Sequence, residues 1–372
     1  MFITDIVIIG GGVIGSSIAY HLARAGRSVI VVERGGIAAA PSASWASAGG
    51  VRRQGRLRAE IALANESSAR WKNLADELDA DLEFRAGGNL MLAESEAYAT
   101  RVAAFVERQH RNGLREVVLM DRKQVREIVP GIAAQVIAGS YSPGDGHANP
   151  VLTTRAFAVA AQRLGAEYWT ATSCASLLVG GRRVSGARTS RGDIDAATTV
   201  LAAGAWSIKL AAEAGLVLPM RIEALQMISS TPAPAISLTP VLSSLGRALS
   251  LKQLPAGSFL VGGGWLGDLA ADGDSYQLIQ KHLDGNWDAA CSILPAVGEQ
   301  RLERAWCGLE ATSLDDLPLV GTHRQLDKLV LATGFSGHGF AIAPAIGSAV
   351  ADLIMGNPSA SLESLSPDRF PR

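Results

Sequence analysis

The sequence predicts a fold class of α/β combined with α+β, a nucleotide-type domain interleaved with a second domain on a mixed or antiparallel sheet. Three observations predict it. The chain opens on an apolar strand, a glycine turn, a helix and a second strand that ends at Glu33. A further strand, glycine-rich turn and helix stand near its end, at 329–355. From Pro219 to Gly264 the pattern becomes β-rich, which suits an antiparallel sheet rather than the parallel one that the opening demands.

The opening carries the most chemistry. Asp5–Ile9 is a continuous apolar run, and Gly10, Gly12 and Gly15 then complete a G-x-G-x-x-G motif. Ser16–Gly26 reads as a helix and Ser28–Val32 as the second strand. Gly10 permits the tight turn from strand to helix, Gly12 lets backbone approach a pyrophosphate, and Gly15 lets helix and strand pack closely. Free amides and the positive dipole end at the helix start, beside Val13 and Ile14, suit phosphate. Glu33 can accept both hydroxyls of an adenosine ribose and would repel a 2′-phosphate. This is a Rossmann-type dinucleotide site.

The remaining elements follow in order. Residues 35–58 are rich in Gly, Ala, Ser and Arg and read as a loop leading into a helix. Ala59–Leu78 has helical spacing of Leu63, Trp71, Leu74 and Leu78. Strand Asn89–Ala93 precedes helix Glu94–Asn112. Strand Val117–Met120 leads to helix Asp121–Ile128, capped by Asp121 and ended by Pro130. Ser142–Gly146 is a turn and Asn149–Leu164 a helix. Strands are expected at Glu167–Trp169, Cys174–Val179, Val184–Thr189 and Thr199–Leu201. The β-rich stretch is broken by a Pro/Ser loop at Thr231–Pro240. Helix Ser275–Ile293, strands Arg301–Leu309 and Leu317–Val320, strand Leu329–Thr333 and helix Ala341–Met355 complete the chain. The expected dinucleotide domain takes 1–80, 140–215 and 322–372, and the substrate domain 81–139 and 216–321.

Composition narrows the classes. At 372 residues the default is two structural domains. A hydrophobic fraction of 48% with 19% charged residues describes a globular chain with much buried surface. Lys+Arg 34 against Asp+Glu 35 leaves a net charge of -1, which gives no case for nucleic acid or an anionic membrane. No apolar run approaches the ~18 residues that a membrane span needs. The first strand starts too early to leave room for a signal peptide. Cys174, Cys291 and Cys307 are scattered, and the histidines lack metal-ligand spacing, so no disulfide framework or metal site is expected. A cytoplasmic location is the resulting expectation.

Three stretches together resemble the D-amino-acid oxidase superfamily of FAD enzymes over essentially the whole chain. They are DIVIIGGGVIGSSIAYHLARAGRSVIVVE at 5–33, VLAAGAWS at 200–207 and LATGFSGHGFAIAPAIG at 331–347. The last resembles glycine oxidase and sarcosine oxidase, and above all the β subunits of heteromeric L-proline dehydrogenases and opine oxidases. The SYSPGDGHANP stretch at 140–150 and the tail Pro367–Arg372 also look like those β subunits. The resemblance implies non-covalent FAD, held by Gly10, Gly12, Val13, Ile14, Gly15, Glu33 and Arg34. The loop Ser44, Ser47, Ala48, Gly49, Gly50 and Val51 would cross the pyrophosphate and flavin. Cys174 would meet the adenine by its backbone. Ala203, Gly204 and Trp206 would lie along the ribityl and phosphate region. Gly308 and the run Gly334, Phe335, Gly337, His338, Gly339 and Phe340 would line the isoalloxazine. The implied partners are an α subunit and a small iron–sulfur subunit, with an FMN or iron–sulfur cluster allowed at or on a partner.

Two departures from the family pattern bear on the reaction. Glycine oxidase keeps a carboxylate-clamping arginine in a W-x-G-L-R context, whereas Trp306–Leu309 is followed here by Glu310. Sarcosine-type oxidases use an oxygen-activating lysine on the strand matching Phe259–Gly263, which has none. Hydride transfer from a carbon next to an amine needs orientation, carboxylate binding and exclusion of water. Val51–Arg58 carries four arginines, and Arg52 or Arg53 is the expected carboxylate ligand, with Arg56 and Arg58 on a solvated basic surface or at a subunit contact. Lys252 is a weaker candidate, and His338 is expected as a structural residue or a flavin neighbour rather than a base. Glu310 would face a cationic or amine-bearing part of a larger substrate, or else point to solvent or a partner chain. The expected function is oxidation of a secondary amino acid or opine, as the β subunit of a hetero-oligomeric dehydrogenase. A 2-hydroxy-acid or glycerol-3-phosphate type dehydrogenase, a glycine- or sarcosine-type oxidase acting alone and a flavin-binding subunit without activity remain open.

Overall fold

The computed structural model describes residues 2–235 and 238–370. Ile236 and Ser237 of the expected Thr231–Pro240 loop, and Pro371 and Arg372 of the expected tail, lie outside the described residues. No helix among the described residues is long and apolar enough to cross a membrane.

The chain begins with β1 (Phe2–Ile9), α1 (Val13–Arg24) and β2 (Val29–Val32). Every residue of α1 from Val13 to Ala23 is buried, so this helix is enclosed by protein on all sides. The loop that follows holds two short elements that the sequence hides, α2 (Ala43–Ala46) and β3 (Gly50–Val51). Ser42 caps α2 by accepting from the Trp45 amide. The helix expected over Ala59–Leu78 is two, α3 (Ile61–Trp71) and α4 (Leu74–Leu78), parted at Lys72 and Asn73.

β4 (Asn89–Ala93), α5 (Glu96–Arg111), β5 (Val118–Asp121), α6 (Arg122–Ile128), β6 (Ala138–Ser142) and β7 (Gly146–His147) come next. Asp121 and Gln124 form a reciprocal capping box on α6. Asn149 caps α7 (Pro150–Arg163), whose first-turn proline needs no hydrogen-bond acceptor. β8 (Glu167–Trp169), β9 (Cys174–Gly180), β10 (Arg183–Thr189) and β11 (Gly192–Leu201) precede α8 (Ser207–Glu213). β11 starts well before the expected Thr199, because its exposed Gly192 and Asp195 break the apolar signal.

The remaining strands are β12 (Met220–Pro232), β13 (Val241–Ser244), β14 (Ser250–Gln253), β15 (Ser258–Gly262), β16 (Asp268–Leu269) and β17 (Tyr276–Gln277), then β18 (Leu302–Ser313), β19 (Leu319–His323) and β20 (Leu326–Thr333). α9 (Gln280–Ile293) lies before β18 and α10 (Gly339–Ile354) after β20. The helix expected from Ser275 therefore starts five residues late, since β16 and β17 pair as a separate ribbon.

The first eight-stranded sheet runs β19-β20-β10-β11-β1-β2-β8, with β9 against β10. Its centre is parallel, β20 with β11, β11 with β1, β1 with β2 and β2 with β8. β1 and β2 pair Ile9 with Val32, and that register sets Glu33 beside the glycine turn. The second eight-stranded sheet runs β18-β12-β15-β14-β13-β4-β6-β5. Its pairings are antiparallel apart from β13 with β4, so it is the expected mixed or antiparallel sheet. It takes β6 through Ser142, slightly past the boundary read at 140.

α10 crosses α1 closely because Gly347 faces Ser17. A Cβ at Gly347 would stand 2.0 Å from Ser17 Oγ, which donates to Ala343 O at 2.9 Å. α3 grips the start of α10, where Ser67 Oγ and Trp71 Nε1 both donate to Ala341 O at 2.7 and 2.9 Å. Replacing Gly347 by Ala overpacks this contact and is expected to cost about 1–3 kcal/mol. The measurement is the urea midpoint at constant slope. Combining it with Ser17→Ala should recover part of the loss, and full stability of the single variant would contradict the packing argument.

Candidate functional site

A cavity of about 970 Å³ opens where the carboxyl ends of β1, β2 and β11 meet the inner face of the second sheet. This is the crevice where open α/β sheets bind ligands, and its volume is at the top of the roughly 300–1,000 Å³ range of cofactor sites. Its lining shows two chemically distinct ends.

One end is built of backbone. Gly10 has φ +109, and a Cβ there would lie 2.4 Å from Ala202 O. Ser44 Oγ accepts from the Val13 amide at 2.9 Å, which draws α2 over the start of α1. Glu33 is held by two amides, Gly11 N donating to Oε2 at 2.8 Å and Gly35 N to Oε1 at 2.9 Å. Each oxygen keeps lone-pair capacity for a ribose hydroxyl. The glycine cradle, the helix start and the fixed carboxylate together fit a dinucleotide.

Most residues expected at this end line the cavity. Gly10, Gly12, Val13, Ile14, Glu33, Arg34, Ser44, Ser47, Ala48 and Gly50 do so, as do Cys174, Ala203, Gly204 and Trp206. Burial pushes the Cys174 thiol up to about 12, so no thiolate forms there. Gly15, Gly49 and Val51 do not line the cavity, and the close packing expected at Gly15 is present. A Cβ on Gly15 would meet Gly10 O at 1.9 Å, and one on Gly49 would meet Ala148 O at 2.1 Å. Both glycines serve backbone packing behind the cavity, and Val51 is buried in the core around α1 and α10.

A strap that the sequence did not disclose closes over this end. Asp274, on the turn between β16 and β17, pairs with Arg34 Nη1 at 2.7 Å and accepts from Trp206 Nε1. The Arg34 guanidinium stacks 3.8 Å over the Trp206 ring.

The other end is charged. Arg52 and Arg56 line it, whereas Arg53 does not. Arg53 turns away to Glu116 at 2.5 Å and Asp145 at 3.6 Å. The expectation of Arg53 as carboxylate ligand is therefore corrected, and so is that of Arg56 on the surface. Arg56 is only 6% exposed, donates by Nε to Arg52 O at 3.0 Å and leaves Nη1 without a partner. Burial lowers the proton affinity of both, that of Arg56 to about 10. Arg58 is exposed, as expected.

Glu60, which sequence reasoning missed, is fully buried beside them. Its Oε2 lies 3.2 Å from His338 Nδ1. Burial favours its neutral acid, but the hydrogen bond and charge of His338, with the charge of Arg56, outweigh that and hold the carboxyl low. Burial and the Arg56 charge hold His338 below its ordinary value despite Glu60. Gly308 on β18 lines the cavity, as do Gly334, Phe335, Gly337, His338, Gly339 and Phe340 at the turn into α10. A Cβ on Gly308 would stand 2.3 Å from Ala46 Cβ, so this glycine lets α2 dock on β18.

Glu310, two residues on, also lines the cavity and accepts from the Gly337 amide. Burial pushes its carboxyl up to about 7. Lys252 is corrected. It does not reach the cavity but lies buried behind β7, with Nζ 3.4 Å from His147 Nδ1 and 3.5 Å from Ala148 O. Burial pulls the lysine down to about 7 and His147 to about 3. Among the described residues, no group of three or more His, Cys, Asp or Glu is placed to hold a metal ion.

Known proteins share this architecture. Residues 5–353 match the family described as FAD dependent oxidoreductase. The chain is 30% identical over 370 residues to glycine oxidase of Bacillus licheniformis, covering 95% of this chain and 94% of that one. It is 28% identical to sarcosine oxidase subunit beta of Arthrobacter sp, covering 98% and 91%. Among solved structures, L-proline dehydrogenase from P. horikoshii superposes with a TM-score of 0.91 at 30% identity, covering 99% of this chain and 98% of that one. With a glycine cradle, a fixed carboxylate beside it and a match across nearly its whole length, the chain belongs to the FAD dependent oxidoreductase family and uses FAD.

Proposed function

We propose that this protein oxidises a secondary amino acid, opines included, at the carbon next to nitrogen, as the β subunit of a hetero-oligomeric dehydrogenase. The observation that carries this reading is the pair Arg52 and Arg56, enclosed at one end of the cavity with an unpartnered guanidinium nitrogen. A substrate carboxylate supplies the missing acceptor, and a guanidinium takes it in a directional, charge-assisted geometry. When bound, FAD supplies the two-electron acceptor. Gly10, Gly12, Glu33 and Ser44 would hold its nucleotide half, and Gly308 with Gly334–Phe340 its ring. The chain's own work is to anchor the carboxylate, orient the carbon and keep water from the imine until it is released for hydrolysis.

Support for an amine donor comes from the likeness to glycine oxidase, sarcosine oxidase subunit beta and L-proline dehydrogenase. The second of these also supports the subunit reading. Anaerobic bleaching of the flavin by a panel of amino acids, opines and hydroxy acids tests the proposal. Bleaching by hydroxy acids alone would replace it with a 2-hydroxy-acid dehydrogenase.

Three outcomes are expected. Purified protein carries non-covalent FAD, and Glu33→Ala weakens its retention by about 1–3 kcal/mol, read by dialysis and flavin fluorescence. Protein that stays colourless after flavin reconstitution refutes this. Arg52→Ala and Arg56→Ala each lower kcat/KM for a carboxylate substrate by about one to two orders of magnitude, as loss of a charged hydrogen bond demands. Arg53→Ala, whose partners lie outside the cavity, should cost stability more than catalysis, and the reverse ranking would reassign the ligand. Finally, β15 carries no lysine and Lys252 is out of reach, so dioxygen should turn the enzyme over much more slowly than an artificial dye. Peroxide release at the dye rate contradicts this.

A further inference from the structure

We infer that Glu310 takes the proton from the substrate's ammonium, which frees the nitrogen lone pair before the carbon is oxidised. The inference rests on the amine-oxidation reading above. An alkylammonium holds its proton up to about pH 10 in water, and a carbon beside a cationic nitrogen does not release hydride. Some group at the site has to accept that proton.

Few side chains at the charged end can do so. Arg52 and Arg56 are cations. Glu60 is occupied by His338, and no lining of the cavity includes it. His338 directs Nδ1 to Glu60, and burial with the Arg56 charge lowers its affinity for a second proton. Glu310 differs from all of these. It lines the cavity beside Gly308 and Gly337, takes one amide hydrogen bond and joins no ion pair among the described residues.

Its neighbours tune it in the required direction. From β12, Glu223 stands opposite in the strand register, and its charge adds to burial in raising Glu310. Glu223 is itself fixed by Arg221 Nε at 2.9 Å and Thr312 Oγ1 at 2.8 Å, so it does not swing in to compete. On the substrate's side, Arg52 and Arg56 bring positive charge near the ammonium and weaken its hold on the proton. The step is a proton transfer alone. The N–H bond breaks with its electron pair left on nitrogen, an O–H bond forms on Glu310, and a cation and a carboxylate become a neutral amine and a neutral acid. No electrons pass to an oxidant in this step, and the proton leaves to solvent with the product.

The test follows the anaerobic flavin-reduction rate at saturating substrate, from about pH 6 to about pH 10.5. The substrate is whichever of sarcosine, L-proline and iminodiacetate bleaches the wild type fastest. The wild type should gain rate through a limb near 7, the region where Glu310 titrates. Glu310→Gln should lose roughly 10²–10³-fold at pH 7 and recover towards the substrate's own ammonium limb near pH ~10. Glu310→Asp keeps a carboxylate and should keep the lower limb, which separates chemistry from folding. Infrared difference spectra of the holoenzyme should show a carboxyl C=O band that titrates near the limb and is missing in Glu310→Gln. An unchanged saturated rate at pH 7 in Glu310→Gln, or a loss equal at every pH, overturns the inference while leaving amine oxidation standing. A limb that survives in Glu310→Gln and vanishes in His338→Asn moves the role to His338. A wild type that no amine bleaches removes the underlying reading and this step with it.

Discussion

The Asp145 carboxylate decides which arginines of the 52–58 loop face the cavity. It is 1% exposed and sits in the turn before β7. Its oxygens accept the Arg53 amide at 2.9 Å and the Gln54 amide at 3.3 Å, and it also faces the Arg53 guanidinium at 3.6 Å. Burial raises its proton affinity on balance, and these donors limit the rise. With Arg53 and Gln54 pinned to β7, the chain on either side places Arg52 and Arg56 on the opposite side, in the cavity. Gln54 extends the anchor by donating to Asn89 Oδ1 at 2.6 Å and accepting from Ser140 Oγ at 3.0 Å. The arginine-bearing loop is thereby tied to β4 and β6 of the second sheet. A carboxylate at 145 without its donors would be a buried charge of high cost, so the loop conformation and the ionised state support each other.

What was legible in the sequence depended on range. The nucleotide end was readable because its parts are local, with Gly10, Gly12 and Glu33 brought together by one β-α-β unit. The resemblance located Gly334–Phe340 through a compact motif of the same kind. The choice among four arginines was not readable, because it is made by Asp145, Glu116 and Glu60 acting across long loops. A run of arginines near a cavity shows the presence of charge but not its direction. Glu60 gave no signal either, since its partner His338 is 278 positions away. β11 was truncated for another reason, because alternation of buried and exposed residues in a strand with Asp195 outward interrupts an apolar run. Asp274 was invisible because its ribbon is two short strands whose pairing leaves no periodicity to detect.

The net charge of the chain is nearly zero, yet charge at the two ends of the cavity is distributed unevenly. At the nucleotide end Glu33 is met by amides, and Arg34 is neutralised by Asp274. At the other end Arg52 and Arg56 feel the charges of both Glu60 and Asp145, yet Arg56 Nη1 and Glu60 Oε1 lack hydrogen-bond partners among the described residues. A buried polar group without a partner costs about 1–3 kcal/mol, which a fold carries where a ligand later relieves it. The unpartnered Arg56 nitrogen is a donor that suits an anion. Lys252 does not join it, because burial holds its amine near neutrality beside His147 and out of the cavity.

β18 joins these parts into one device. Its Gly308 receives Ala46, its Leu309 amide donates to Pro41 O at 2.9 Å, and Glu310 follows on the cavity wall. The strand therefore seats the loop that covers the nucleotide at one residue and presents an acid to the reacting end two residues later. Phe335 bridges to the same strand at Thr312, and the Ser336 amide donates to Ala311 O at 3.1 Å. The turn that starts α10 is thus held in register with Glu310 rather than only packed near it. Because α10 is in turn locked on α1 through Gly347 and Ser17, the glycine motif at the start of the chain and the acid at position 310 share one rigid path. A displacement of either sheet by a fraction of an ångström would be felt at both ends of the cavity, since close-packed interfaces transmit strain rather than absorb it. The placement of Arg52, Arg56 and Glu310 at one end of the cavity and of Gly10 and Glu33 at the other is in this sense a single geometric property of the chain.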